Sequence, residues 1–396
     1  MRVLAITKIF PNSLEPLSSP FNRQQFVALS KLCELSVLEA IPYFPASELT
    51  GQPPRAAKLA ALPTHEMVEG VDTFYMRQLY LPRVGLSVAM PLYLASLMPF
   101  RGLARRYDVL LATWAYPDGC ASVLFAKTLG KPSVVKVHGS DVNVVAKTPV
   151  ARRAMGAVLP RAEAMVTVSR PLGHELEQIG VPSEKIHLVP NGVDTQLFTP
   201  RDRDAARREL GVPKGRPLIL FVGRLEPQKG LGELLEAFAM VRAKRPDAIL
   251  ALIGDGVLRD EVQKKREAWG GDALLAPGAR PLTEVARWMT ACDVFTLPSW
   301  NEGTPNVVLE ALASGRPAVG SRVGGIPDVL ADPKSGLLVP PKDARALADA
   351  LGAAIARHWD VAEVRACGPS SWAESAARLY DVLSSVVTSR ARNRSS

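Results

Sequence analysis

Short apolar runs alternate with longer amphipathic stretches along almost the entire chain. Runs of this kind are typical of parallel strands that are buried on both faces of a sheet. They predict strands at Val3–Thr7, Leu35–Leu38, Val109–Ala112, Val134–Val137, Met165–Val168, Ile186–Val189, Leu218–Val222, Ile249–Ile253, Ala273–Leu275, Val294–Leu297, Ala318–Gly320 and Leu337–Val339. The amphipathic stretches predict helices at Asn22–Leu32, Ala89–Tyr107, Asp118–Leu129, Val150–Val158, Pro171–Ile179, Leu231–Lys244, Leu258–Trp269, Leu282–Thr290, Val307–Ala313, Asp343–Ala356 and Trp372–Val387.

This alternation predicts an α/β protein with two doubly wound, Rossmann-like domains. The length of 396 residues agrees, because a domain usually has about 100–200 residues. Turn residues at Pro190–Asp194 and a charged run at Arg201–Arg208 mark the boundary. We therefore predict one domain at 1–195, a second at 196–370, and at 371–396 a helix that returns to the first domain, ending in a frayed polar tail at Arg390–Ser396.

The composition is that of a globular chain, with 47% hydrophobic and 22% charged residues. The net charge of +9 is compatible with an anionic ligand or an acidic membrane surface as partner. It is equally typical of an Arg-rich chain in which the charge has no binding role. Aromatic residues are only 6%, so a nucleic-acid surface built on base stacking is not expected. The four cysteines are far apart, which favours free thiols in a reducing compartment. The N-terminus lacks the long apolar core of a signal peptide, and we expect a cytoplasmic protein.

The most apolar segment is Val84–Phe100, which Pro91 and Pro99 interrupt. It is short for a membrane span of about 20 residues, so no transmembrane helix is predicted. Three arginines follow it, at 101, 105 and 106. Two interpretations remain: a helix at the inner, anionic surface of a membrane, or a buried helix with a basic C-terminal end.

Ligands of open parallel sheets bind at the carboxyl ends of the strands, so the cleft between two facing domains is the expected site. The segment Phe221–Gly230 leaves a predicted strand and enters a helix. Gly223 would allow a ligand close to the backbone, and Arg224 and Lys229 place two positive charges at the strand end. The segment does not have the spacing of a Walker loop, and a solvated basic turn is the alternative.

The segment Leu297–Gly315 is the stronger signal. A polar loop with Glu302 and Gly303 precedes a helix for which Thr304 is the expected cap and Pro305 the first turn. The start of such a helix favours anions. Glu310 lies among apolar residues, where a carboxylate needs a partner. Glu302 and Glu310 would meet two points of a long ligand.

Further candidates follow two other strands. His138 comes after a buried strand and before Gly139, where it would face the cleft, although a lone histidine is more often a core or surface group. Asp141 would accept from a hydroxyl group or cap a helix. Gly254 would let a ligand approach the backbone, although such turns are common in these folds.

Together these segments resemble the retaining glycosyltransferases of family 4 (group 1), which have the GT-B fold. The resemblance covers nearly the whole chain. It rests on motifs in the family's order: Val168-Ser169, Val189–Asp194, Gly223–Gly230, Gly254–Gly256, Pro298-Ser299 and the Glu302…Glu310 spacing. Two further motifs, Tyr116–Gly119 and His138–Asp141, are similar to a subgroup of bacterial surface-polysaccharide enzymes.

The resemblance implies a metal-independent, retaining hexosyltransferase without a cofactor. It would use a UDP- or GDP-sugar and a glycan or lipid-linked acceptor in surface or exopolysaccharide synthesis, with peripheral membrane association as an option. The second domain would bind the nucleotide and the first the acceptor. The implied donor contacts are Arg224 and Lys229 to the diphosphate, Glu310 to the ribose, Glu302 with Gly303 and Thr304 to the sugar and diphosphate, Gly223 and Gly254 through their backbone, and His138 to the sugar.

Asp141 is the residue assigned to the acceptor. The loop Pro11–Phe21 departs from the family pattern, because it lacks the glycine that many relatives place near the donor phosphate. The only Asp-x-Asp, Asp202–Asp204, lies in the charged run and is interpreted as a solvated linker without metal. An epimerase of the same fold and a non-catalytic sugar-nucleotide binding module stay open as alternatives.

Overall fold

The computed structural model describes residues 1–16, 18–43, 54–79 and 85–395. The chain divides into two compact units, the first formed by Met1–Asn191 with Trp372–Ser396 and the second by Gly192–Ser371. Leu17, in the loop that lacks glycine, and Val84, at the start of the apolar segment, lie outside the described residues. The acceptor and nucleotide-sugar roles of the two domains stay predictions.

The first unit contains an eight-stranded sheet in the order β3-β4-β2-β1-β5-β6-β7-β8. Its strands are parallel except for β3, which runs antiparallel to β4. The bounds are β1 (Arg2–Thr7), β2 (Glu34–Tyr43), β3 (His65–Val68), β4 (Val71–Leu79), β5 (Val109–Thr113), β6 (Ser133–Lys136), β7 (Ala164–Thr167) and β8 (Ile186–Leu188).

The centre of this sheet is buried on both faces, as the apolar runs predict. Alternate residues of a strand point to opposite faces. Val3 and Ala5 of β1 pack in one apolar cluster, and Leu4 and Ile6 pack in another on the other face. All four side chains are fully buried, so the prediction of a central strand at this position is confirmed.

Sequence reasoning missed the β3–β4 hairpin. Its two-residue turn is Glu69-Gly70, and both residues have positive φ angles, 54° and 79°. A turn of that kind joins antiparallel strands. Three residues of β3 are not fully buried, so its sequence lacks the apolar run by which the other strands were recognised.

The described helices of the first unit cover both faces of the sheet. They are α1 (Pro20–Leu29), α2 (Pro54–Leu59), α3 (Ala89–Leu97), α4 (Arg101–Ala104), α5 (Cys120–Thr128), α6 (Ser140–Asn143), α7 (Pro149–Val158), α8 (Arg170–Ile179) and, from the other end of the chain, the last helix Trp372–Ser395. The single helix predicted at Ala89–Tyr107 is wrong in detail. A tighter turn at Met98–Phe100, which contains Pro99, separates α3 from α4.

By length and composition alone, the helical stretch Leu86–Ala104 could cross a membrane, since its most apolar window has a mean hydropathy of 1.2. Only 17% of that window is buried. Tyr93, Ser96 and Leu97 pack inward from α3, whereas Leu86 and Met98 are exposed. This segment therefore buries one face in the core of the first unit and exposes the rest, and the choice between the two interpretations, like the absence of a membrane span, stays a prediction.

The last helix continues through the segment that was expected to be a frayed tail. Arg390 donates from Nη1 to the Glu163 carboxylate at 3.0 Å, and only 26% of its side chain is exposed. Nearer its start, Ser375 accepts a hydrogen bond from Gln25 of α1 at 3.1 Å. Leu379 and Leu383 are fully buried against the first sheet's core. This packing, together with the ion pair, extends the helix to Ser395.

The second unit contains a six-stranded, fully parallel sheet in the order β11-β10-β9-β12-β13-β14. Its strands are β9 (Leu218–Val222), β10 (Ile249–Ile253), β11 (Leu274–Gly278), β12 (Val294–Leu297), β13 (Ala318–Ser321) and β14 (Gly336–Val339). Its helices are α9 (Arg203–Leu210), α10 (Leu231–Lys244), α11 (Arg259–Trp269), α12 (Leu282–Ala291), α13 (Asn306–Ala313), α14 (Ile326–Val329), α15 (Ala344–Ala356) and α16 (Val361–Ala366), and the last helix of the chain is α17. The predicted fold of two doubly wound α/β domains is thereby confirmed.

The charged run Arg201–Arg208 is not the linker that the sequence suggested. Most of it forms α9, because Asp202 caps the helix by accepting from the Ala205 N–H at 3.0 Å. Asp204 pairs with Lys214 at 2.7 Å. Both carboxylates of the Asp-x-Asp thus have structural partners within the second unit.

Candidate active site

Two glycines meet at the carboxyl edge of the second sheet. Gly223 follows β9 and Gly254 follows β10, and the Gly223 N–H donates to the Ile253 carbonyl at 3.0 Å. A Cβ atom at Gly254 would lie 1.9 Å from the Gly223 carbonyl oxygen, and Gly254 has a φ of +149°. Only glycine fits there. The two strand ends therefore expose bare backbone side by side, as close approach of a ligand requires.

Lys229 and Glu302, which are far apart in sequence, form an ion pair at this edge. Lys229 Nζ lies 2.6 Å from Glu302 Oε1, and the two side chains are only 21% and 11% exposed. The hydroxyl of Ser299, which is fully buried, donates to the same oxygen at 2.7 Å. Glu302 thus holds the Lys229 ammonium in a partly buried position before any ligand binds. The ammonium is preorganised for an anionic ligand, because the lysine side chain needs little reorientation when the anion binds.

Backbone contacts fix the position of this pair. The turn before α10 lies against the end of β12, where a Cβ atom at Gly230 would be 2.0 Å from the Pro298 carbonyl oxygen. The Trp300 N–H donates to the Gln228 carbonyl at 2.9 Å. The loop of Glu302 is held in turn by the Gly325 N–H, which donates to the Gly303 carbonyl at 2.7 Å.

Arg224 is placed differently from Lys229. Its Nη1 lies 2.8 Å from Glu226 Oε1, and 67% of the side chain is exposed. A surface ion pair of this kind contributes little to the free energy of folding. The sequence treats the two cations as equals, whereas the structure gives Lys229 a fixed position and leaves Arg224 on a solvated arm.

The helix after the Glu302 loop begins later than predicted. Pro305 is the capping residue, in extended conformation, and α13 starts at Asn306. The prediction of Thr304 as the cap is wrong, because proline fixes the backbone angle that the residue before the helix needs. Gly303 and Thr304, which are partly buried, belong to the loop at the positive end of the helix dipole.

Glu310 lies one turn further along α13. Its surroundings are apolar, and burial raises the pKa of its carboxyl group to about 7. Among the described residues no side chain or backbone N–H forms a hydrogen bond or ion pair with this carboxylate. A carboxylate in such a place suits a ligand that brings its own hydroxyl donors.

In the first unit, His138 follows β6 and packs on the ring of Phe21, with ring centroids 4.9 Å apart. Its Nε2 atom is buried, and no described residue forms a hydrogen bond with it. Burial, together with the positive charge of Lys136, holds the pKa of His138 well below its usual value. The imidazole is therefore neutral at pH 7, with one nitrogen left over for a ligand. Because Phe21 is the last residue of the glycine-free loop Pro11–Phe21, this contact places the end of that loop beside His138.

Asp141 is fully buried and does not point to solvent. Its carboxylate accepts from the backbone N–H groups of Ala115 at 2.9 Å, His138 at 3.1 Å and Gly139 at 2.8 Å. It thus joins the loop after β5 to the loop after β6 and sets the position of His138. A direct contact with an acceptor stays a prediction, and the cap that was the alternative role is not seen.

Sequence reasoning missed Trp114 and Lys8, which lie at the same edge of the first sheet. Trp114 follows β5 with a φ of 150°, a costly conformation for a tryptophan, and its indole nitrogen is buried with no hydrogen-bond partner in the described part of the chain. Lys8 follows β1, lies 4.8 Å from the centre of the Trp114 ring system and pairs with Asp118 at 3.4 Å. Asp118 is fully buried, so the lysine is held over the indole. The only sequence signal was the neighbouring Tyr116–Gly119 motif.

The described residues contain no group of three or more His, Cys, Asp or Glu side chains that could hold a metal ion. The roles predicted for the site residues stay predictions. Four of them, Gly223, Gly254, Lys229 and Glu302, are brought together at one edge of the second sheet, and His138 and Asp141 are brought together in the first unit.

Two family models match the chain. Residues 59–197 match the model described as Glycosyltransferase Family 4, and residues 216–357 match the one described as Glycosyl transferases group 1. Together they cover more than two thirds of the 396 residues; the first match lies almost wholly in the first unit and the second lies in the second unit.

Similar proteins agree with these matches. TuaC of Bacillus subtilis, whose name assigns it as a glycosyltransferase to teichuronic acid biosynthesis, is 29% identical over 364 residues, 89% of this chain and 88% of TuaC. The amylovoran biosynthesis glycosyltransferase AmsK of Erwinia amylovora is 31% identical over 251 residues, 61% of this chain and 60% of AmsK. The crystal structure of Anabaena HepE in complex with UDP is similar over 100% of both chains, with a TM-score of 0.70 and 19% identity.

Proposed function

The chain belongs to the family 4, group 1 glycosyltransferases and has their GT-B fold, and from this membership we propose that it transfers a hexose from a UDP- or GDP-sugar to a glycan or lipid-linked acceptor with retained anomeric configuration. The observation that carries the donor part is the Lys229–Glu302 pair beside the exposed backbone of Gly223 and Gly254. The names of TuaC and AmsK support a place in bacterial surface-polysaccharide synthesis, and the UDP bound to HepE supports a nucleotide donor.

In the proposed reaction the bond between the anomeric carbon and the diphosphate oxygen breaks, and an acceptor hydroxyl forms the new bond on the same face. The hydroxyl proton passes to the leaving diphosphate. Negative charge grows on that diphosphate, and Lys229 stabilises it, helped by the exposed side chain of Arg224 and the dipole of α13. No step needs a metal ion, because these groups supply the positive charge. Glu302 holds Lys229 and contacts the sugar together with Gly303 and Thr304.

Two further groups without a hydrogen-bond partner among the described residues are proposed as donor contacts. Glu310 accepts from the ribose hydroxyls, which satisfies a carboxylate that the described residues leave without a partner. His138 donates or accepts as a neutral imidazole at a sugar hydroxyl, and Asp141 positions it.

The acceptor would dock at the carboxyl edge of the first sheet. The Lys8 ammonium, which is held over the Trp114 ring, offers donors for the hydroxyl oxygens of a sugar. The strained backbone of Trp114 supports a functional position, since such strain is retained mainly at functional sites.

We also propose that the protein is cytoplasmic and associates with the inner face of the membrane through Leu86–Ala104 and the arginines that follow it. Leu86 and Met98 are exposed apolar side chains, and Arg101, Arg105 and Arg106 are exposed cations. Co-sedimentation with phosphatidylglycerol vesicles is expected to fall at least several-fold when the three arginines are replaced by glutamine, and to fall with added salt. Equal binding of the variant and the parent would contradict this proposal.

The function itself is tested by calorimetric titration with UDP and with GDP in the presence of a metal chelator. Binding of one nucleotide is expected. Incubation with the matching sugar nucleotide and an acceptor extract should then release the nucleoside diphosphate and yield a glycosylated product of retained configuration. An epimerised sugar nucleotide without transfer would establish the epimerase instead, and nucleotide binding without turnover would establish the binding module.

The raised pKa of Glu310 gives a pH prediction. The charged carboxylate accepts hydroxyl groups better than the protonated form, so UDP affinity should be full above pH 8 and decline as the pH falls through about 7. The terminal phosphate of UDP also changes its charge in this range, since its second ionisation lies near pH 6. The UDP affinity of the parent is therefore compared with that of Glu310→Gln at each pH from 5.5 to 8.5. If affinity changes with pH by the same slope in both proteins, the assignment of Glu310 to the ribose is contradicted.

The same shift predicts a pH effect on stability. The folded carboxyl group binds its proton more tightly than the unfolded one, whose pKa is 4.5. Stability is then favoured at low pH and is lost as the pH rises from 4.5 through 7. Thermal unfolding of ligand-free Glu310→Gln should lack this part of the decline.

A further inference from the structure

The opposite, amino-terminal edge of the second sheet carries a cleft of about 620 Å³ that the proposed reaction does not use. Its walls include seven arginines but a single carboxylate, that of Asp293. Asp293 comes directly before β12, Arg216 shortly before β9, and Arg316 shortly before β13. Because the strands are parallel, this cleft lies at the other end of the sheet from Gly223 and Gly254.

The one carboxylate of the cleft is already committed. Asp293 forms ion pairs with Arg203 and, at 2.6 Å, with Arg207, and it accepts from the Leu218 N–H at 2.7 Å. Arg207 is itself satisfied, since it also donates to the carbonyl groups of Ala291 and Arg216, each at 2.9 Å. This pair is a structural brace between α9 and the strand ends.

Arg316 has no comparable partner among the described residues. Only 7% of the residue is exposed, its Nε atom is buried with no hydrogen-bond partner in that part of the chain, and the residue lines the cleft. Burial lowers the pKa of Arg316, and the neighbouring Arg203 and Arg207 act in the same direction, whereas Cys292 and Asp293 act against it. Three arginines around a single carboxylate leave an excess of positive charge in a buried place, so the cleft favours an added anion.

The position of Arg316 is fixed by its backbone. Its N–H donates to the Ala311 carbonyl at 2.9 Å, which closes the end of α13. Gly315, directly before it, has a φ of +70°, and a Cβ atom there would lie 2.5 Å from Val361. A change of chain direction that withdraws Arg316 from the cleft is therefore blocked by packing.

We propose that this cleft is a second anion site of the protein and that it binds a phosphate or diphosphate group through Arg316. Planar guanidinium groups match the oxygens of phosphate by forked hydrogen bonds. Arg203, with 47% of its side chain exposed, and Arg357, which stacks on Trp359 at 4.0 Å, line the same cleft. The ligand is either a soluble phosphate ester or the headgroup of an anionic phospholipid, and the two share this chemistry.

The test is calorimetric titration with inorganic pyrophosphate of the parent chain, Arg316→Gln and Lys229→Ala. The parent should bind two pyrophosphates, one at each edge of the second sheet. Arg316→Gln should weaken pyrophosphate binding at the amino-terminal edge at least tenfold and keep the parent's UDP affinity. Lys229→Ala should weaken UDP binding and pyrophosphate binding at the carboxyl edge, and leave pyrophosphate binding at the amino-terminal edge unchanged. An unchanged pyrophosphate isotherm in Arg316→Gln would overturn the proposal whatever happens to UDP binding, so the second site and the donor site fail independently.

Thermal unfolding keeps the proposal testable without calorimetry. In phosphate-free buffer Arg316→Gln should be at least as stable as the parent, because it removes an uncompensated charge, and pyrophosphate should raise the midpoint of the parent more than that of the variant. If Arg316 had only a structural role, Arg316→Gln would be less stable than the parent in phosphate-free buffer. Arg357→Gln, at an exposed position, supplies a second variant that should also weaken pyrophosphate binding.

Vesicles distinguish the two sources of the phosphate group. Phosphatidylglycerol vesicles that compete with pyrophosphate at the Arg316 site, and bind Arg316→Gln less well than the parent, identify a lipid headgroup. Pyrophosphate binding that depends on Arg316 without any such vesicle effect identifies a soluble ligand. If pyrophosphate does not distinguish Arg316→Gln from the parent, the inference is wrong whatever the vesicles show.

Discussion

Lys229→Ala is expected to lower kcat for sugar transfer about 10²–10³-fold, the usual effect of removing one preorganised charge-stabilising donor. The side chain lies 2.6 Å from Glu302 and is four-fifths buried, so its position does not depend on the ligand. Charge on the leaving diphosphate grows toward the transition state, and a fixed cation therefore stabilises that state more than the bound donor. UDP affinity should fall by a smaller factor, and the measurement is kcat with saturating donor.

Lys244→Ala is the matched control. Lys244 lies on α10 of the same unit with 73% of its side chain exposed, and its nearest carboxylate oxygen, on Asp349, is 3.6 Å away. Its removal should leave the rate unchanged. If Lys229→Ala transfers sugar as fast as Lys244→Ala, Lys229 does not act on the diphosphate.

A second variant separates the lysine from its partner. Glu302→Gln keeps the shape of the side chain and removes the charge that holds Lys229. If the pair acts as a unit, the double variant should lose little more activity than Lys229→Ala alone. Strictly additive losses would mean that Glu302 acts independently, on the sugar.

The strands at the centre of each sheet are predictable from the sequence because their burial is nearly uniform. Leu218–Val222, Ile249–Ile253 and Val294–Leu297 have the bounds that the apolar runs predict. Every residue of these three strands is buried, so the pattern contains the whole signal. The hairpin at the edge of the first sheet lacks that signal, since β3 is mostly solvated and turns through Glu69-Gly70.

The sequence predicts which residues belong to the site, but it does not predict which side chains they pair with. Gly223, Lys229 and Glu302 stand in motifs that a reader of the sequence can find. The pairing of Lys229 with Glu302 spans 73 residues and depends on the contact of Gly230 with Pro298, which no local pattern encodes. Arg316 is a still clearer case, because its isolation follows from Asp293 being shared by two other arginines. Exposure and partners are tertiary properties, and they decide which charged residues can act.

Gly230→Ala is expected to destabilise the protein by about 3 kcal/mol and to weaken UDP binding as well. Gly230 has a φ of +70°, a conformation that costs other residues about 1–2 kcal/mol, and overpacking adds about 1–3 kcal/mol. The added methyl group would lie 2.0 Å from the Pro298 carbonyl oxygen. Backbone cannot yield there as a flexible side chain would, so the turn must move away from β12 and carry Lys229 away from Glu302.

Gly232→Ala, two residues further on, provides the comparison. Gly232 lies in α10 with no atom within 4 Å of a Cβ atom built there, and alanine is the better helix former by about 0.5–1 kcal/mol. We expect this variant to unfold at a slightly higher urea concentration than the parent, whereas Gly230→Ala unfolds at a clearly lower one. The two variants add the same methyl group within one turn of chain, so a difference in UDP affinity between them isolates the contact with Pro298. Equal midpoints and equal UDP affinities would show that the Lys229 turn does not depend on that contact.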